Sequence, residues 1–155
     1  MKKNNQNWTP GDVLKIPLAD GKFAFARVLK YPLVAFYDLK TERIPDIDSI
    51  ISSLVVFKIW VMKYGVTSGD WPVIGNSPLT PELEVPPYFF KRDPISGALS
   101  IYMGNNIERP ATLEECQGLE CAAGWDPVHI VDRLNDHFAG KPNKWVEAMK
   151  PRPKA

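Results

Sequence analysis

Between positions 12 and 39 apolar residues recur with period two, the spacing of strands whose successive side chains face opposite sides of a sheet. In 12–18, Val13 points to one face while Leu14, Ile16 and Leu18 point to the other. Ala19-Asp20-Gly21 supplies a turn ending in a residue that accepts positive φ. The chain returns over 22–30, with Phe23, Phe25 and Leu29 on one face and Ala24, Ala26 and Val28 on the other. Arg27 falls on the aromatic face and is expected near its edge, where a guanidinium reaches solvent or a carboxylate. After a Tyr31-Pro32 break, 33–39 reads as a third strand. Three strands on short turns form an antiparallel meander, for which an SH3-like barrel is the nearest simple closed form.

The pattern then changes. Ile47, Ile50, Ile51 and Leu54 have helical spacing, and Pro45 suits a first turn, so 44–54 is expected to be a short helix. The near-continuous apolar run 55–63 reads as a central strand that buries Trp60. Val73 and Ile74 suggest another short strand, and the proline-punctuated stretch 78–94 an irregular wrap around Tyr88, Phe89 and Phe90. A last strand is expected over 99–103.

The final third reads as helical. Thr112 followed by Glu115 has capping-box spacing and predicts a helix over 112–124. Asp126 caps the next helix, with Pro127 at its first position and Gly140 beyond its end; Val128, Val131, Leu134 and Phe138 form its stripe. A short helix over 143–149 follows. Strands first and helices last make an α+β fold, a single domain over 9–149 with flexible termini at 1–8 and 150–155.

Composition narrows the classes. A chain of 155 residues with 45% hydrophobic and 24% charged residues is long enough for one continuous core. Its net charge of +1 weighs against nucleic acid or an anionic membrane as the partner. No apolar run is long enough for a membrane span, and the polar start lacks a signal peptide's apolar stretch, so a cytoplasmic location is expected. Cys116 and Cys121, five apart on the expected helix, would face different ways and exceed disulfide reach, so reduced thiols are expected.

Motifs for phosphate loops, dinucleotide folds, zinc proteases and nucleophile elbows are missing, and no catalytic, cofactor or metal residue is assigned. His129 and His137 lie eight apart on one helix, about 12 Å along its axis, too far to share one ion. Paired with Asp126, Asp132 or Asp136 they are the only handle for a small hydrolase. Trp71, Trp125 and Trp145 each follow a polar turn or cap and either pack the loops onto the sheet or anchor an interface. Glu114, Glu115, Glu120, Asp126, Asp132 and Asp136 stand against only Arg133, a concentration that suits a basic protein partner or a solvated helix face. Trp71, Trp125 and these six acids are the candidate partner-binding residues.

Three groups of stretches carry a family likeness over about residues 9–148: GDVLKIPLADGKFAFARVL with AFYDL; VVFKIWVMKYGVTSGDWPVIGNSPL with PPYFFKRDP and SGALSIY; and ERPATLEECQGLECAAGWDPVHIVDRLNDHF. Together they resemble the Immunity protein 26 family of bacterial polymorphic-toxin systems. The resemblance implies a cytoplasmic antidote that binds a cognate toxin, often a nuclease in such systems, and it transfers no catalytic motif. An SH3-like nucleic-acid- or peptide-binding module is the alternative reading.

Overall fold

The computed structural model describes residues 5–153. Residues 1–4 and 154–155, parts of the two expected flexible termini, lie outside the described residues. The meander forms as expected: β1 (Asp12–Pro17), β2 (Phe23–Val28) and β3 (Leu33–Thr41) pair antiparallel, with Leu14 opposite Ala26 and Arg27 opposite Ala35. Gly21 closes the first turn at φ +79°, and its N–H bonds the Leu18 carbonyl. The sheet extends through β4 (Val55–Val61) beside β3 and β5 (Val73–Asn76) beside β1. The two-residue β10 (Gly124–Trp125) pairs parallel with the end of β4, giving the order β10-β4-β3-β2-β1-β5. Its two edge strands do not meet, so the sheet stays open and no barrel closes.

The stretch expected to wrap irregularly contains regular structure. Pro81 starts a one-turn α3 (Pro81–Glu84), and β6 (Phe89–Arg92) follows the Pro86-Pro87 pair. Its alternation sends Phe89 and Phe90 into different core clusters. With β7 (Leu99–Tyr102), β8 (Glu108–Pro110) and β9 (Glu120–Cys121) it makes a second sheet of order β8-β7-β6-β9, so β7 is not the last strand.

The helix expected over 112–124 ends after one turn, α4 (Leu113–Cys116). Its capping box forms, but Gln117 is extended and Gly118 takes φ +80°, which reverses the chain into β9. Cys116 therefore sits in the core with Phe90 and Ile101, while Cys121 lies on a strand. Burial raises both thiol pKa values. The other helices keep their signals. In α1 (Ile47–Ile51) the cap is Asp46, which leaves Ile44 and Leu54 exposed. The turn α2 (Tyr64–Thr67) follows β4. α5 (Pro127–Phe138) is capped by Asp126, and α6 (Lys144–Ala148) by Asn143.

Both faces of the large sheet are covered. Leu14, Ile16, Ala26, Val34, Phe36 and Ile59 meet Ile130 and Leu134 of α5, with Trp71 and Trp125 in the same cluster. On the opposite face Val13, Phe25 and Tyr37 meet Ile50 of α1. Val128, expected on the α5 stripe, instead points to solvent, because Ile130 takes the inward position. Trp60 is half-buried at the margin rather than central, tilted against Phe89 at 4.9 Å. In the segment 5–8, Gln6 bonds the carbonyls of Val66 and Trp71, and the Trp8 indole donates to Leu29 O.

Arg27 departs most from its expected setting. The aromatic face is roofed, so Arg27 is 2% exposed and its guanidinium meets no carboxylate. It donates to Gly11 O (2.9 Å), Tyr37 Oη (3.2 Å), Ser77 O (2.6 Å) and Pro78 O (3.1 Å). Gly11, at φ +95°, has no room for a side chain: a Cβ there would lie 2.6 Å from Ser77 O. The opening Gly11-Asp12, Arg27 and Ser77-Pro78 thus form one clasp at the β1–β5 edge.

Candidate functional site

The acids concentrated in the last third are divided between two places. Glu114 and Glu115 ride on α4, which packs on β7 of the second sheet, whereas Asp126, Asp132 and Asp136 follow α5 on the large sheet. Glu114, Glu115 and Asp132 are exposed; the others are half-buried.

Most of these carboxylates have structural partners. Glu120 grips Arg133 through two bonds of 2.9 and 2.8 Å, and that guanidinium lies 3.7 Å over the Phe57 ring centroid and 5.0 Å from that of Trp125. Asp126 accepts the Tyr64 hydroxyl (2.5 Å) and the Val128 N–H (2.9 Å), which together hold its carboxyl below the usual range. The same bond raises the Tyr64 hydroxyl. Asp136 accepts from Asn143, which in turn caps α6 by accepting from the N–H groups of Trp145 and Val146 at 3.1 Å each. Glu115 closes the capping box with Thr112 and meets Arg109 at 2.8 Å. Its pKa is lowered by the Thr112 N–H first and then by Arg109.

The tryptophans divide too. Trp71 and Trp125 are almost fully buried, Trp71 edge-on to Phe36 at 6.0 Å, so their rings fill the core. Trp145 is half-buried and stacks on His129, with centroids 3.8 Å apart. Its indole N–H reaches Asp132 at 3.4 Å.

Neither histidine side chain hydrogen-bonds an acid the sequence suggested, though the charge of His129 helps lower the Asp126 carboxyl. His129 meets the Trp145 ring, and His137 Nε2 lies 2.8 Å from Asp38 Oδ1 of β3 instead of bonding Asp136. The hollow beside His137, about 220 Å³, is lined by Val56, Phe57, Arg133, Asn143 and Val146 among others, with no hydroxyl or thiol side chain. Among the described residues no three His, Cys, Asp or Glu side chains gather to hold a metal ion. No described helix is long and apolar enough to cross a membrane.

A family model described as Immunity protein 26 matches residues 9–101. The chain belongs to the Immunity protein 26 family. No curated protein and no solved structure matches it. The family match runs from β1 into β7 and takes in the Gly11–Arg27–Ser77 clasp. All the candidate acids and Trp125 lie beyond it; Trp71 lies within it, in the core.

Sequence reasoning passed over the exposed tyrosines Tyr31 and Tyr64. No motif marks them, and a large aromatic beside a turn is the only signal they carry.

Proposed function

We propose that this chain neutralises a cognate protein toxin by direct, non-catalytic binding in the bacterial cytoplasm. Family membership is the observation that carries this reading. The ion pairs, caps and ring stacks of the last third agree with a binding role, since they brace a surface without assembling a nucleophile and base. Of the residues singled out from sequence, Glu114, Glu115 and Asp132 are the exposed carboxylates, and we assign them to contact with basic groups of the toxin, in keeping with a nuclease. Glu114 and Glu115 stand apart on α4, whereas Asp132 lies on the α5 side, which Glu120, Asp126 and Asp136 brace through Arg133, Tyr64 and Asn143. Trp71 and Trp125 support it from the core.

Co-expression with the toxin domain encoded beside this chain tests the reading. The expected result is restored growth and a stable complex on co-purification. Toxicity undiminished by the chain, with no complex at micromolar concentrations, rules it out.

A further inference from the structure

The large sheet ends in a strip of exposed apolar groups drawn from three separate segments. Tyr31 in the β2–β3 turn is 55% exposed, Met62 and Tyr64 after β4 are 42% and 50% exposed, and Val128 at the start of α5 is 67% exposed. Direct contacts join the segments. Val61 N–H bonds Pro32 O, Met62 N–H bonds Trp125 O, Lys63 Nζ lies 5.8 Å from the Tyr31 ring centroid, and Tyr64 holds Asp126. Ile95, in the β6–β7 turn, is exposed at a distance along the chain from these segments. A cluster of tyrosine and methionine at one edge is the composition of an interface centre.

Tyr31 also forms one wall of a pocket of about 310 Å³, which Trp60, Tyr102, Leu83 and Pro86 help to line. Trp60 and Tyr102 stand edge to face there at 5.7 Å. That volume is at the small end for ligand sites and suits one large side chain from a partner.

The rim is charged: two lysines and the pocket-lining Glu84 stand at the Tyr31 end, and an acid at the other. Lys30 and Lys63 are exposed beside Tyr31 and make no ion pair among the described residues. At the other end Asp132 lies one turn along α5 from Val128. We propose that this strip, with the pocket behind Tyr31, is where the chain captures its toxin. One apolar anchor of the toxin enters the pocket, its carboxylates meet Lys30 and Lys63, and its basic groups meet Asp132. The assignment rests on the neutralisation reading and adds the surface and the polarity of the partner. The excess of lysine at the Tyr31 end over the acidic Asp132 end favours one orientation of that partner.

The test measures the affinity of the purified chain for the co-encoded toxin domain with Tyr31→Ala, Met62→Glu, the pair Lys30→Glu/Lys63→Glu, and the remote control Ile95→Ala. Far-UV circular dichroism and thermal melting accompany each variant; Met62→Glu and the lysine pair alter only exposed groups and so remain informative if Tyr31→Ala loosens the Trp8 contact. At least a tenfold loss of affinity is expected for the three strip variants, and less than twofold for Ile95→Ala. For the lysine pair the loss should fall mainly on the association rate and shrink with added salt. Folded strip variants that bind within threefold of the unmodified chain overturn the surface assignment alone. An unmodified chain that fails to bind the toxin overturns the neutralisation reading and this surface together.

Discussion

Replacing Arg27 by Met keeps the length of the side chain while removing every donor of the clasp. The guanidinium bonds four neutral oxygens, and the loss differs among them. Gly11 O retains the Ser77 N–H at 3.1 Å, and Pro78 is exposed, so water replaces much of what its carbonyl loses. Tyr37, 1% exposed, is left with a buried hydroxyl without its Arg27 donor, and Ser77 O loses its 2.6 Å bond. Each orphaned buried group costs about 1–3 kcal/mol, while removal of a buried charge relieves some desolvation. The balance is a destabilisation of about 3 kcal/mol, equivalent to roughly 6–12 °C in Tm at this chain length. Urea unfolding followed by tryptophan fluorescence measures it. Arg27→Lys should cost about half as much, since an ammonium lacks the fork that spans these oxygens. In a double-mutant cycle with Tyr37→Phe the two losses should be non-additive by at least about 0.5 kcal/mol. A cost below about 1 kcal/mol for Arg27→Met would show that the clasp does not hold the β1–β5 edge.

Three further outcomes are expected. Gly11→Ala should destabilise by at least about 2 kcal/mol, through positive φ and the Ser77 O contact; unchanged thermal melting would contradict that geometry. Asn143→Ala removes the α6 cap and the Asp136 bond together and should cost about 2 kcal/mol in chemical denaturation, against little for the exposed Lys144→Ala. Stability should fall on acidification. Asp126, Glu108 and Glu115 are held below their ordinary values, chiefly by Tyr64, Lys91 and the Thr112 N–H respectively, so the folded state binds fewer protons than the unfolded one. Their contribution is complete above the ordinary carboxylate values of 3.8 and 4.5 and is lost as pH drops through the depressed ones; a Tm that does not fall between pH 6 and pH 3 would exclude it.

The meander and α5 are legible in the sequence because their signals are local. Period-two alternation sets each face of β1 and β2, and Asp126-Pro127 marks the start of α5. The 112–124 segment misleads because a capping box announces a helix start without saying how long the helix runs, and Gly118 ends it after one turn. β9 and β10 exist only through their partners Phe89-Phe90 and Trp60-Val61, far away in the chain. Alternation puts Arg27 on the right face, but its acceptors come from segments 16 and 50 residues away. The acids are legible as a concentration; their pairing with Arg133, Tyr64 and Asn143 depends on tertiary contacts.

The family match stops within β7, yet the core does not stop there. Trp125, Ile130 and Leu134 complete the central cluster, and β8 and β9 form both edges of the second sheet. A graft of residues 102–155 onto another scaffold, meant to transplant binding specificity, would therefore bring core side chains along with surface ones. The receiving scaffold must offer sockets for Trp125, Ile130 and Leu134 before any new contact can be read. In this chain one segment carries both the candidate contact acids and the side chains that close the core, so its surface cannot be moved without its interior.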